Sequence, residues 1–334
     1  SLAQLGDLLK PRREAVDGPV VYFVDHFFRD HELIGRLPME KGDQLHFVDS
    51  SSEPEVTRID AFKEAVSAAD SRTPCCVVGI GGGNALDTAK AVANLLTNPG
   101  KAEDYQGWEL VKNPAVYKIG IPTLSGTGSE CSRTCVLTNI PKNLKLGMNS
   151  DYTVYDQLLL DPDLLATVPR DQYFYTGIDT FMHCVESLQG SYRNAIIDAF
   201  SIRAVQLCEE IFLSDDMMSE ENREKMMIAS YIGGMAAGNV GVIHPFSAGL
   251  GVVLHVAHGL GNCLALNVLG DIYPKEYKQF RTMIERQGVN LPTGICKDLT
   301  EEQYEGLYRG CIVHEKPLTN ALGPDFKQIL TREN

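Results

Sequence analysis

Four short apolar runs set the framework for the first half of this 334-residue chain. Val20-Val21-Tyr22-Phe23-Val24, Leu45-His46-Phe47-Val48, Cys75 to Ile80 and Tyr117 to Ile121 are of strand length. Helix-length segments such as Asp60–Ala69 and Ala85–Leu96 lie between them. Strands buried on both faces read as unbroken apolar runs, and parallel pairing needs a long crossover between successive strands. The expected fold class is therefore α/β, with a mostly parallel sheet covered on both sides. Arg133–Asn139 and Leu144–Ser150, joined through Pro141-Lys142-Asn143, are expected to append a hairpin.

After Asp161-Pro162 the pattern changes to helices alone. Asp163–Thr167, Tyr173–Leu188, Asn194–Leu213 and Glu220–Ala237 all have helical periodicity. In the third of these, Phe200, Ala204, Leu207, Cys208 and Ile211 form a stripe that reads as core. Thr300-Glu301-Glu302-Gln303 has the form of a capping box that opens a further helix. The expected organisation is an α/β nucleotide-binding domain over 1–157 and an all-helical domain over 158–334.

Composition narrows the function classes. A formal charge of −14 argues against nucleic acid or an anionic membrane as the main partner. No apolar run reaches the length of a membrane span. Nine cysteines without a repeated Cys-x-x-Cys pair suggest reduced thiols in a cytoplasmic protein rather than a disulfide framework or zinc ribbon. Ser1 falls inside a helical pattern, so the chain is expected to continue upstream.

Two loops carry nucleotide-binding chemistry. Val78-Gly79-Ile80-Gly81-Gly82-Gly83-Asn84 follows a strand and opens a helix, where glycines admit a close pyrophosphate and unpaired N–H groups face it. Pro122-Thr123-Leu124-Ser125-Gly126-Thr127-Gly128-Ser129-Glu130 follows the fourth strand, at the edge where open α/β sheets bind ligands. Asp25, at the end of the first strand, is placed either to bond a ribose hydroxyl or to cap a turn.

A second constellation lies in the helical half. Asp179 and His183 are four residues apart and share a helix face, as metal ligands on one helix must. His244, His255 and His258 crowd into an apolar, Gly-rich stretch where unpaired imidazoles would be costly to bury. On one straight helix His244 and His258 would be about 21 Å apart. They can therefore share an ion only if the chain turns back, and Pro245, Gly249 and Gly251 are the expected turning points. Asp179 with His183, His244 and His258 would make an N3O site for Fe2+ or Zn2+. His255 is a substrate or outer contact of that site, or else a core histidine. His26, His31, His46 and His314 read as structural.

Gly81-Gly-Gly-Asn-Ala-Leu-Asp-Thr-Ala-Lys90, the 122–130 loop, Asp161–Pro169, Thr176–Glu186 and His244 with His258-Gly259 together resemble the iron-containing (group III) alcohol dehydrogenases. That resemblance implies a dinucleotide-binding domain, a helical metal domain and an active site in the cleft between them. It implies catalysis through a metal on Asp179, His183, His244 and His258. It also implies NAD contacts at Asp25, Gly82, Gly83, Asn84, Asp87, Thr123, Leu124, Ser125, Thr127 and Lys145. Ala248 stands where many members have histidine, and Tyr155 replaces a usual proline. Asn98-Pro-Gly, Tyr105–Trp108, Ser132–Thr134, Leu146–Val154 and His183–Ser187 are similar to the members that oxidise the C8 hydroxyl of 3-deoxy-D-manno-octulosonate (Kdo) for lipopolysaccharide sugar biosynthesis. The expected partner is thus a small-molecule alcohol, in the narrower case an acidic sugar, handled by a homodimer. Oxidation of another small alcohol or polyol, and a lyase like 3-dehydroquinate synthase, are the alternatives. The lyase family has glutamate as its first ligand where this chain has Asp179.

Overall fold

The structure, a computed structural model, describes residues 1–332. Packing divides the chain into two units, Ser1–Leu124 with Ser129–Leu164, and Ser125–Gly128 with Leu165 onward.

In the first unit, α1 (Leu5–Ala15) precedes β1 (Val20–Asp25). There follow β2 (Gln44–Val48), α2 (Val56–Ala69), β3 (Cys76–Gly81), α3 (Gly83–Leu95), β4 (Gly107–Trp108), β5 (Lys118–Pro122), β6 (Thr134–Asn139), β7 (Leu144–Asn149) and β8 (Gln157–Leu158). Five strands form a parallel sheet in the order β2-β1-β3-β5-β8. From β1 the chain steps outward to β2, then returns to β3 on the opposite side. The point where strand order reverses lies between the C-terminal ends of β1 and β3, where open α/β sheets form a ligand crevice.

Alternate side chains divide that sheet between two apolar clusters, as a two-residue period requires. Val21, Phe23 and Val77 pack with Val56, Ile59 and Val66 of α2 and with Ala85, Ala89 and Val92 of α3. Val20, Tyr22, Val24, Cys76, Val78 and Ile80 face the other way, onto Leu2, Leu5 and Leu9. The expected hairpin is β6 and β7, antiparallel with Leu137 opposite Leu146, and β4 joins it as a third strand. The expected division after residue 157 falls inside β8, which pairs with β5 through Ile119 and Gln157. A two-residue strand carries no periodic signal in sequence.

In the second unit come α4 (Arg170–Gln189), α5 (Ala195–Phe212), α6 (Glu220–Gly234), α7 (Ile243–Leu254), α8 (His258–Val268), α9 (Pro274–Gln287), α10 (Glu301–Ile312), α11 (Glu315–Leu322) and α12 (Phe326–Ile329). The expected stripe of α5 is core, with Ala204, Leu207, Cys208 and Ile211 buried and Phe200 half-buried. Thr300 and Gln303 cap α10 reciprocally, Oγ1 accepting from the Gln303 N–H and the Gln303 amide from the Thr300 N–H. Asp163–Thr167, expected as a helix, is instead a single 3-10 turn over Pro162–Leu165. Its few residues offer too few hydrogen bonds to propagate an α-helix.

Gly126 and Gly128 belong to this helical unit although they sit in the loop after β5. The Gly126 N–H donates to Ser230 Oγ at 2.8 Å, and the Gly126 carbonyl accepts from Thr180 Oγ1 at 2.8 Å. At φ 146°, a Cβ on Gly126 would stand 1.7 Å from the Thr176 carbonyl oxygen. One on Gly128 would stand 2.3 Å from Gly234 Cα. The loop is thereby pressed against α4 and α6 at the level of Asp179. Gly126→Ala is expected to destabilise the fold by about 3 kcal/mol or more, because backbone rather than a flexible side chain must move. Thermal unfolding checks it, with a fall in Tm of roughly 5 °C or more expected.

Candidate metal centre

Helix α4 is buried on nearly every side from Thr176 to Ser187. The Asp179 carboxylate consequently has no exposed surface. Such a charge persists only if donors or a cation face it. Three of the four expected ligands converge: ligand atoms of Asp179, His244 and His258 all lie within 4.8 Å of one another. Asp179 Oδ1 is 3.1 Å from His244 Nε2, and Oδ2 is 3.7 Å from His258 Nε2. His183 stands at the edge, with Nε2 3.6 Å from Asp179 Oδ1 and its ring stacked on that of His244 at 4.5 Å.

The turn between His244 and His258 is not where it was expected. Pro245 lies in the first turn of α7, where its missing N–H costs nothing, and Gly249 and Gly251 lie within that helix. Gly249 instead lets α10 approach, since a Cβ there would meet the Leu307 carbonyl oxygen at 2.7 Å. The chain turns at His255, which ends α7 in the left-handed region at φ 54°. Val256 and Ala257 carry it back, so that His258 opens α8 beside Ser247. His255 itself is exposed and lies outside the cluster.

Glu186, to which no role was assigned from sequence, completes the cluster. Its Oε2 is 2.5 Å from His244 Nδ1, and Oε1 accepts from the Ile243 N–H at 2.6 Å and the Tyr273 hydroxyl at 3.4 Å. With Nδ1–H engaged, His244 turns Nε2 towards Asp179, the arrangement by which a carboxylate orients a metal-binding imidazole. Asp179, His183 and Glu186 are spaced i, i+4, i+7, so helix periodicity already placed all three on one face. The same spacing relates His258 to Asn262, whose Nδ2 is 2.6 Å from Asp179 Oδ1.

The electrostatics are divided. Burial works against a charged His244, yet Glu186 on one nitrogen and Asp179 on the other outweigh it and raise the group to about 9. Burial pushes His183 down to about 4, with Asp179 offsetting only part of that effect. Asp179 is itself held below the usual carboxylate range, because the surrounding imidazoles outweigh its burial. Its Oδ2 and His183 Nδ1 are buried without a hydrogen-bond partner. One buried carboxylate ringed by imidazoles, with an orphaned oxygen, is a donor set that fits a divalent cation of borderline softness.

The expected cofactor residues divide between the two units: Ser125 and Thr127 belong to the helical one, and the rest to the first. Gly82 caps α3 at the end of β3, and Gly81, at φ 152°, lies so near β1 that a Cβ would stand 2.9 Å from Asp25 Cβ. Asp25 and the 81–84 turn therefore meet at the point where strand order reverses. Asp25 also caps its own turn, accepting from the Phe27 N–H at 3.0 Å and from Ser50 Oγ at 2.8 Å. Asn84 Nδ2 donates to the Ser52 carbonyl, and Thr123 is buried with its N–H on the Gly81 carbonyl. Leu124 packs at Gly82, and Lys145 Nζ lies 3.0 Å from Glu53 Oε1. The Ser125 hydroxyl is buried without a hydrogen-bond partner.

Asp87 is half-buried, accepting from Ser129 Oγ at 2.5 Å and the Val136 N–H at 2.8 Å. With Lys90, whose ammonium donates to the Ser129, Ser132 and Thr134 carbonyls, it builds the second loop. Lys90 is fully buried, and Asp87, one turn before it on α3, faces the same loop.

Among known proteins, the model of the iron-containing alcohol dehydrogenases matches residues 2–162, and the C-terminal model of the same family matches 173–306. The chain belongs to the iron-containing alcohol dehydrogenase family. It is 34% identical to the sulfoacetaldehyde reductase of Bilophila wadsworthia over 220 residues, 64% of this chain and 56% of that protein. It is 32% identical to the NAD-dependent methanol dehydrogenase of Bacillus methanolicus over 208 residues, 61% of this chain and 53% of that one. The matched stretch spans little more than half the length of these curated relatives. In fold it superposes on the alcohol dehydrogenase from Oenococcus oeni with a TM-score of 0.81 at 22% identity, covering 98% of this chain and 94% of the other. The sulfoacetaldehyde reductase from Bifidobacterium kashiwanohense, solved with NAD+, gives 0.78 at 24% identity over 96% and 90%. Among the described residues no helix is long and apolar enough to cross a membrane.

Glu186→Gln is expected to weaken divalent-cation binding roughly 10–100-fold, the usual effect of losing an oriented carboxylate behind a histidine ligand. Competition against a chromophoric chelator measures it, with helix content by circular dichroism unchanged.

Proposed function

We propose that this protein interconverts a primary alcohol and its aldehyde, using NAD and a divalent cation, Fe2+ or Zn2+. The reading rests on one observation: a buried carboxylate and two imidazoles, with a third alongside, converge in a chain of this family. Asp179, His183, His244 and His258 would hold the cation, and Asp25 with Gly82, Gly83 and Asn84 would meet the dinucleotide. When bound, such a cation lowers the pKa of a coordinated hydroxyl, and NAD accepts the hydride from the carbinol carbon.

The chain's own residues do the remaining work. Asp179 supplies the anionic charge among the proposed ligands and so offsets part of the dication's charge. Glu186 holds the proton on His244 Nδ1, so that Nε2 is the nitrogen that would face the cation. Burial of α4 keeps water from Asp179. At the first unit, the free N–H groups opening α3 attract a pyrophosphate, while the Asp25 carboxylate favours a ribose hydroxyl over a 2′-phosphate.

For the substrate we propose a small polar alcohol. The C8 hydroxyl of Kdo is the specific candidate, supported by the motif likeness at 98–100, 105–108, 132–134, 146–154 and 183–187. Sulfoacetaldehyde and methanol, named for two relatives, are the comparison compounds. A screen of Kdo against these, reading both NADH and peroxide, separates a dehydrogenase from an enzyme that passes electrons to oxygen. Rates for Kdo no better than for methanol would refute the narrower substrate.

Excess chelator is expected to abolish turnover, and added Fe2+ or Zn2+ to restore it. Asp179→Asn is expected to lose most bound metal and activity while NAD affinity stays within about twofold, since a neutral amide is a poor ligand for such cations. Asp156→Asn, whose carboxylate accepts from the Lys118 N–H and ammonium in the first unit, should retain its metal. Wild-type metal content and rate in Asp179→Asn would overturn the assignment.

A further inference from the structure

Asn262 has no exposed surface and sits one turn after His258 on the same face of α8. Its amide nitrogen points into the middle of the cluster: 2.6 Å from Asp179 Oδ1, 3.3 Å from His258 Nε2 and 3.4 Å from His244 Nε2. The amide oxygen, by contrast, has no hydrogen-bond partner. The opposite amide orientation would set that oxygen 2.6 Å from a carboxylate oxygen, where the two would repel, so the network itself assigns the nitrogen to Asp179. A buried residue that leaves one polar atom unpaired in order to aim the other at three ligand atoms is not placed by packing. An apolar side chain of the same size would avoid the cost of the orphaned oxygen.

We propose that Asn262 is a positioning residue for Asp179. Its N–H occupies Oδ1, stops rotation of the carboxylate about its Cβ–Cγ bond, and leaves Oδ2, which accepts no hydrogen bond, as the oxygen presented to the cation. The carboxylate then binds through one oxygen rather than two. An N-rich set with a single carboxylate oxygen suits Fe2+, Co2+ or Zn2+, whereas a bidentate carboxylate favours the harder, larger cations. The residue must also be neutral, because an acid there would add a further charge beside Asp179 and Glu186. Asn262 thus governs both how tightly the site binds and which ions it prefers. This rests on the metal reading above.

The test uses Co2+ as probe, read by chelator competition and by its visible absorption, with Mn2+ as the harder comparison. Wild-type protein is expected to bind one Co2+, and Asp179→Asn to lose it. Asn262→Leu, which keeps the volume, is expected to hold its Tm yet bind Co2+ roughly 10–100-fold more weakly. Its Co2+ spectrum should shift, and its preference for Co2+ over Mn2+ should narrow. Asn262→Asp, isosteric but anionic, should also fail to restore the wild-type spectrum and serves where the leucine variant does not fold. Wild-type Co2+ affinity and spectrum in either folded variant would overturn the positioning role. Failure of the wild-type protein itself to bind Co2+ would instead overturn the metal reading, and this inference with it.

Discussion

The helical unit is organised around one electrostatic problem, the burial of the Asp179 carboxylate in a helix enclosed on nearly all sides. Taking a carboxylate out of water costs several kcal/mol even after relaxation. The chain answers with donors from two other helices, His244 from α7 and Asn262 from α8. Glu186, two turns along α4, repeats the arrangement by accepting from the backbone that opens α7 and from Tyr273. Two acids on one helix therefore fasten the helices that bear His244 and His258.

Close backbone approach is the second constraint, and glycine provides it in both units. Gly126 and Gly128 bring the loop after β5 against α4 and α6 where a Cβ would overlap main chain. Gly249 and Gly310 do the same for α7 and α10. Gly81 lets the end of β3 lie beside Asp25. In each case the glycine is where the element packing needs it.

Motif residues turn out to have more than one kind of task. Asp87 and Lys90 lie in the most recognisable segment of the first unit, yet they hold the second loop in place from within. Their neighbours Gly82 to Asn84 stand at the head of the helix, where ligand chemistry is available. One turn of helix separates residues that build a loop from residues that can meet a dinucleotide. Glu186 and Asn262 show the converse, since neither drew notice beside the histidines, and each lies within hydrogen-bonding distance of His244 or Asp179.

The sequence by itself determined the class of fold and singled out Asp179, His183, His244 and His258, which the structure brings near one another. Unbroken apolar strands, the Gly-rich turn and the change to helical periodicity after Asp161 depend on local spacing, which a linear reading resolves. Asp179 with His183, and the crowding of His244 and His258, were legible for the same reason. Tertiary structure decided how these pieces meet. The turn at His255 rather than at Pro245, Gly249 or Gly251 depends on α7 packing against α10, which no local pattern carries. The two-residue strands β4 and β8 exist only because a neighbouring strand supplies their hydrogen bonds. Which face of α3 bears Asp87, and that Asn262 aims its nitrogen at Asp179, follow from contacts between elements distant in sequence. Periodicity shows which residues share a helix face, but not what that face will meet.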